Sequence, residues 1–357
     1  MRVLVAMSGG VDSSVAAYIL KNQGYDVEGI TLKMVTDTAR FDESACCSDS
    51  NINDAESVAA SLGFKYTVSD YSADFERKVV DKFVSSYIKG ETPNPCIECN
   101  RHIKFGKLFE EAARLGFDKV ATGHYARVRY DEKTGRWLLL KGLDHAKDQS
   151  YVLYSLTQEQ LAMALFPIGE LSKAQVRSIA DESGLVNSRK ADSQDICFIP
   201  DGDYKKFIES YCGYKDTEGD FVDKDGNVLG RHRGLTGYTT GQRRGLGVSA
   251  GRPLYVIRKD LENNRIVLGD EADLYVSRIA LRDVNFISIE RLDSPMRVDM
   301  KIRYSQKTAR ATVFPSENGM VTALFDEPQR APTAGQAGVF YDGETVVGGG
   351  TIVEPEL

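Results

Sequence analysis

VLVAMSGGVDSS, residues 3–14, is where the architecture of this 357-residue chain becomes readable. Val3–Met7 is a short apolar run of the kind that forms a buried parallel strand. A glycine-rich turn follows. Asp12–Gln23 then carries Val15, Ala16, Ile19 and Leu20 on one helical face, and Gly24 is placed to stop it. Glycines let backbone approach an anion closely, and the N-terminus of the next helix offers it unpaired N–H groups. Ser8, Ser13 and Ser14 add hydroxyl donors, and Asp12 is suited to capping the helix or holding a metal ion. No Gly-Lys-Ser/Thr follows, so this is not the common nucleoside-triphosphatase loop, nor is it GxGxxG. The blander reading is a plain strand-to-helix turn.

Outward from the loop, strands and helices alternate. Val27–Leu32, Lys65–Val68 and Lys119–Thr122 read as strands. Asp54–Leu62, Phe75–Ile88 and Phe105–Leu115 read as helices, the first and last stopped by Gly63 and Gly116. Such alternation predicts an α/β domain with an open parallel sheet over residues 1–205. Beyond it, short alternating runs lie between Gly, Asp and Asn turns: Pro253–Arg258, Arg265–Leu268, Arg297–Tyr304, Ala309–Phe314 and Met320–Phe325. They predict small β-rich domains after the α/β domain, with boundaries near residues 205 and 278. The glycine-rich Val347–Thr351 reads as a strand-to-turn feature.

Composition narrows the class. Hydrophobic residues make up 42% and charged residues 27%, ordinary for a soluble globular protein. No apolar run reaches the length of a membrane span, and the first residues are too soon interrupted by glycine for a signal peptide. Six cysteines are too few for a secreted disulfide scaffold, so a cytoplasmic setting with reduced thiols is expected. The net charge of −7 is unevenly spread: residues 231–310 hold 13 Arg and 3 Lys against 6 Asp and 3 Glu, a balance of +7. A basic segment on an acidic body suits either a polyanion on one face or a solvated surface.

Cys96 and Cys99 form C-x-x-C within TPNPCIECNRHIKFG, with no second pair of the kind a zinc ribbon needs. Cys197 stands in ADSQDICFIP. Sulfur chemistry needs a thiolate, and a nearby cation lowers a thiol pKa. Arg101 and Lys104 follow Cys99, and Arg189 and Lys190 precede Cys197. Cys212 reads as structural, and Cys46 and Cys47 receive no role.

The SGGVDSS loop resembles that of the pyrophosphate-loop adenylating ATPases, which split ATP into AMP and pyrophosphate. With TPNPCIECNRHIKFG, ATGHYAR, KDQSYVL, FPIGELSK, DSQDICFIP and TTGQRRGLG, the chain is similar, from residue 1 to beyond 300, to the bacterial tRNA-specific 2-thiouridylase family. With the resemblance, the expected architecture is a small central β-rich domain over 206–278 and a C-terminal antiparallel β-barrel over 279–357, and the implied reaction is ATP-dependent adenylation of the C2 carbonyl of a wobble uridine, then sulfur transfer from a cysteine persulfide. It implies ATP contacts at Ala6, Met7, Ser8, Gly9, Gly10, Val11, Asp12 and Ser13, with Met34 and Gly123 near the adenosine, and Mg2+ on the phosphates. It makes Cys99 the nucleophile and Cys197 the persulfide carrier, the two pairing as a disulfide when sulfur is released. Asn94, Pro95 and Cys96 would meet the target base. His124, Lys147, Asp148, Gln149, Arg303, Tyr304 and Gln336 would contact tRNA, and a sulfur donor or relay protein is the implied partner. Cys96 stands where many members carry aspartate. It opens a [4Fe–4S] alternative held by Cys96, Cys99 and Cys197. The rival is another adenylating synthetase with the same loop; it leaves the cysteines and the basic segment unexplained.

Overall fold

A computed structural model describes residues 1–35, 49–191 and 196–353. The N-terminal sheet is parallel, built from β1 (Arg2–Ala6), β2 (Asp26–Lys33), β3 (Tyr66–Asp70), β4 (Lys119–Ala121) and the short β7 (Ala164–Leu165). Their order is β3-β2-β1-β4-β7. The direction of winding reverses between β1 and β4. In open α/β sheets a ligand crevice forms at such a switch point, beyond the carboxyl ends of the strands. The SGGVDSS turn leaves β1 there, and Gly123 leaves β4 beside it.

Helix α1 (Val11–Asn22) packs Val15, Ala16 and Ala17 on the sheet through Val3, Val5 and Val27. Helix α2 (Asp49–Leu62) begins five residues before the predicted Asp54. The predicted helix Phe105–Leu115 is the later part of a helical run over 95–114. Its true start is Asn94, whose side-chain oxygen accepts from the Cys96 amide, with Pro95 at the first helical position. The middle of that run, Asn100–Lys107, is wound as a π-helix, a geometry often found at functional sites.

Between β4 and β7 the chain makes a hairpin, β5 (Ala126–Asp131) and β6 (Arg136–Lys141), that the periodicity did not predict. A second sheet, ordered β10-β11-β8-β9, comprises β8 (Gly219–Val222), β9 (Val228–His232), β10 (Tyr255–Asp260) and β11 (Arg265–Gly269). The third comprises β12 (Tyr275–Phe286), β13 (Met296–Lys301), β14 (Ala309–Pro315), β15 (Val321–Arg330), β16 (Ala337–Asp342) and β17 (Thr345–Ile352). β12 pairs with both β15 and β17, which closes these six antiparallel strands into a barrel. Val298 and Met300 point inward from β13 while Arg297 is exposed, the alternation expected of a half-buried strand.

Gly348–Gly350 corrects one expectation: the glycines lie inside β17 and do not form a strand-to-turn feature. A Cβ on Gly348 would lie 2.3 Å from the Asn285 carbonyl oxygen, and one on Gly349 would lie 2.8 Å from the Tyr154 ring. Close backbone approach at a barrel corner requires such residues. The hairpin joins the two units: β6 pairs with β17, and Arg127 bridges Glu344 at 3.2 Å. Val339, Tyr341 and Val346 of the barrel share one apolar core with Phe83, Ile103 and Leu139.

Candidate active site

The loop between β1 and α1 is held open by its own hydrogen bonds. The Ser8 amide donates to Ser13 Oγ at 3.2 Å, while the Ser13 and Ser14 hydroxyls donate to the Gly10 carbonyl at 3.0 and 3.1 Å. Gly9 has φ of +71°, and a Cβ there would lie 2.1 Å from the Asn51 carbonyl oxygen, so only glycine fits. Gly10 caps α1 without a side-chain hydrogen bond. The first turn thus meets no side-chain cap and can face an anion.

Asp12 does not cap the helix, as the sequence allowed. It lies inside the first turn and receives two donors: Lys173 Nζ at 2.8 and 2.9 Å from its two oxygens, and the Tyr125 hydroxyl at 2.8 Å. One carboxylate beside a glycine-rich loop fits magnesium of the kind held mostly by phosphate oxygens and water. Gly123 closes the other side, where a Cβ would lie 2.6 Å from the Ser13 amide nitrogen. Asn187 is buried, and its Nδ2 donates to the Gly9 carbonyl at 3.0 Å and to Ser14 Oγ at 2.9 Å. Sequence reasoning missed Asn187, which carries no local motif. It also missed Lys173, which ends the quoted FPIGELSK.

The cysteines lie alongside. Cys99 is buried, and its Sγ lies 3.9 Å from the Met34 sulfur just beyond β2. The expected nucleophile therefore touches an expected adenosine contact, one strand away from the phosphate loop. Cys197 is half-buried against the same apolar cluster that contains Cys99. Cys96, one residue into the helix, is exposed. Glu98, which the sequence reading passed over, ties this helix down: it faces Lys82 at 3.0 Å, His102 at 3.3 Å and Arg101 at 3.5 Å. Its spacing to Arg101 and His102 was the available signal. Burial holds His102 below the ordinary histidine range, against the pull of Glu98.

The expected cluster does not fit. Among the described residues no three His, Cys, Asp or Glu side chains come together to hold a metal ion. Exposed Cys96 and buried Cys99 stand in different surroundings. Cys46 and Cys47, and residues 192–195 before Cys197, lie outside the described residues.

Several expected tRNA residues converge near Cys96. Tyr304 is 42% exposed, with its ring 6.0 Å from that of Tyr151. Its hydroxyl pKa is raised by burial and further by Asp148 and Cys96, so both stand close to it. Asp148 is buried; it accepts from the Gly142 and Ser150 amides at 3.1 and 3.0 Å and from the Ser150 hydroxyl at 2.9 Å. It shapes a turn from inside. Gln149 braces the Tyr125 backbone in both directions at 2.9 Å, and Lys147 is half-buried. Arg303 donates to the Ala331 carbonyl at 2.6 Å, and Gln336 donates to the Thr92 carbonyl at 2.7 Å, two residues before Asn94. Pro95 is buried. His124 is buried between Phe105 and Phe166, 2.7 Å from the Thr122 hydroxyl; it forms wall and presents no exposed donor. The basic segment is partly neutralised: Arg231, Arg252, Arg282, Arg291, Arg297 and Arg310 are in ion pairs with carboxylates. No helix among the described residues is long and apolar enough to cross a membrane.

Comparisons with known proteins agree along the whole chain. Residues 1–201 match the family model described as the tRNA methyl transferase HUP domain. Residues 205–270 match the tRNA methyl transferase PRC-barrel domain, and 276–352 the aminomethyltransferase beta-barrel domain. The chain is similar to the tRNA-specific 2-thiouridylase MnmA of Acetivibrio thermocellus, 52% identical over 98% of this chain and 99% of that protein. It is similar also to that of Clostridioides difficile, 50% identical over 100% and 99%. Among solved structures, a 4-thiouridine synthetase–RNA complex with bound ATP is 14% identical, with a TM-score of 0.34 over 56% of this chain and 45% of that one. That likeness is too loose to bear on function.

Proposed function

The chain belongs to the family of tRNA-specific 2-thiouridylases, which are tRNA sulfurtransferases, and we propose that it thiolates the wobble uridine of tRNA by ATP-dependent adenylation followed by persulfide transfer. In the first step the uridine O2 bonds to the α-phosphorus of ATP. The bond to the bridging oxygen breaks, and its electron pair leaves with pyrophosphate. The uridine C2 then carries a good leaving group, AMP. Residues Ala6–Ser13 cradle the phosphates, and Met34 and Gly123 flank the adenosine. Asp12 would hold magnesium, which would supply charge neutralisation on the phosphates.

In the second step the outer sulfur of a persulfide on Cys197 attacks C2, and AMP departs with the original oxygen. The Cys99 thiolate then attacks the inner sulfur of Cys197. The sulfur–sulfur bond to the base breaks, a Cys99–Cys197 disulfide forms, and 2-thiouridine is released. A thiol reductant and a sulfur donor protein restore the persulfide. Asn94, Pro95 and Cys96 meet the flipped base, whose extrusion is cheap in a single-stranded loop. Lys147, Asp148, Gln149, Arg303, Tyr304 and Gln336 hold the surrounding tRNA, with His124 acting through the wall behind them. This chemistry suits a cytoplasmic setting, where tRNA, ATP and reduced thiols occur together.

The observation that supports this reading is the 3.9 Å approach of the Cys99 sulfur to the Met34 sulfur, just beyond the strand next to the one that SGGVDSS leaves. The rival adenylating synthetase has no use for that contact. The test separates the two steps. Cys99→Ser and Cys197→Ser should each abolish thiolation while tRNA-dependent pyrophosphate release from ATP continues. Loss of pyrophosphate release in both variants would contradict the division of labour.

A further inference from the structure

The phosphate loop carries no lysine of its own, yet the fold brings one to it. Lys173 opens the helix Lys173–Glu182, which Ser172 caps through the Gln175 amide. Val176 and Ala180 of that helix share a core with Val15 and Ala16 of α1, so the two helices are fixed relative to each other. The Lys173 amide is anchored to Asp144 at 2.9 Å. Its side chain is 14% exposed, and its ammonium spans both Asp12 oxygens at 2.8 and 2.9 Å. Asp12 is the second residue of α1, so this cation stands at the helix turn that faces the anion.

We propose that Lys173 is a catalytic residue of adenylation, the cation that binds the phosphate chain of ATP in place of the lysine missing from the loop. The assignment rests on the ATP-dependent reading above. Without a phosphate chain, Asp12 neutralises the ammonium. A polyphosphate carries more negative charge than one carboxylate, and a lysine on its flexible stem can turn to it. As the bond from the α-phosphorus to the bridging oxygen breaks, charge builds on the departing pyrophosphate. A fixed cation at that point stabilises the transition state more than the ground state. The long sequence separation of Lys173 from the loop explains why no local motif announces it.

The test is calorimetric titration of the full chain with ATP, pyrophosphate and adenosine, for wild type, Lys173→Met and Lys173→Arg. Lys173→Met should bind ATP and pyrophosphate about tenfold more weakly and adenosine unchanged, as expected for loss of one charge-assisted contact. Its tRNA-dependent pyrophosphate release should fall about a hundredfold. The same substitution in an Asp12→Asn background should still weaken pyrophosphate binding. Unchanged pyrophosphate affinity, or an effect confined to the background with Asp12 intact, would overturn the assignment and leave Lys173 as a structural partner of Asp12. If Lys173→Met loses adenosine as well, Lys173→Arg decides: retained pyrophosphate binding supports the proposal and its loss overturns it. Wild-type protein that releases no pyrophosphate with ATP and tRNA contradicts the adenylation reading itself. Wild-type release matched by Lys173→Met contradicts only the role of Lys173.

Discussion

At Gly123 the absence of a side chain is a geometric necessity. A methyl group there would lie 2.6 Å from the Ser13 nitrogen and 2.7 Å from the Asp12 carbonyl carbon, both of them backbone atoms that cannot swing aside. Gly123→Ala must therefore push the end of β4 off the first turn of α1. ATP affinity should fall about tenfold or more, since positioning errors near 1 Å are costly. Titration with ATP checks this, and unchanged affinity would mean that the crevice tolerates displacement. The buried histidines make a second prediction. Burial lowers the pKa of His124 well below its ordinary value, and burial also lowers His102 and His232. Each depressed group binds a proton in the unfolded chain before it does in the folded one. Stability is therefore fully present above a pH of about 6.5 and declines as pH falls through that value. The urea midpoint should drop between pH 7.5 and 5.5, and drop less in His124→Phe; an equal drop in both would contradict the assignment to His124. At this scale the sequence exposed what is local. Gly9, Asp12 and Ser13 announce themselves within one turn of chain. Asn187 reaches Gly9 across 178 residues and Lys173 reaches Asp12 across 161, and no periodicity encodes either meeting.

Among the elements, the legible ones were those with a single dominant period. β1, α1 and β2 read correctly because a parallel sheet buried on both faces needs unbroken apolar runs. The hairpin of β5 and β6 was missed: Leu138–Leu140 of RWLLLK are buried on a strand that pairs with the barrel far along the chain, while ARVRYD buries only Ala126. The helix around Cys96 and Cys99 was missed for a different reason. Its start is signalled by Asn94 and Pro95, but its π-wound continuation breaks the 3.6-residue pattern. Asn285 of β12 shows how these elements are tied together. Its Nδ2 donates to the carbonyls of Tyr154 at 2.7 Å and Leu156 at 3.1 Å, carrying the barrel onto the helical turn behind the cysteines. Asn285→Ala leaves both carbonyls short of a donor and should destabilise the chain by about 1–3 kcal/mol. Chemical denaturation measures this, and a change within error would show that the junction is held elsewhere.

For the whole molecule, the closed barrel is joined to the α/β unit by the pairing of β17 with β6 and by a shared apolar core, which brings Tyr304 near Cys96 and Gln336 onto the Thr92 carbonyl, two residues before Asn94. An α/β domain followed by β-rich domains was legible from texture, while the closure of the barrel and its junction were not, because pairing between distant strands leaves no mark in local composition. Charge was the weaker guide. The excess of arginine over residues 231–310 is real, yet six of its arginines meet carboxylates in the fold. The most direct test of the central claim is nucleoside mass spectrometry of unmodified glutamate-type tRNA after incubation with the protein, ATP, magnesium and a persulfide-generating donor, with and without ATP. The account predicts the mass gain of one oxygen-for-sulfur exchange on uridine only when ATP is present. Sulfur incorporation without ATP, or none with every component supplied and tRNA bound, would contradict it.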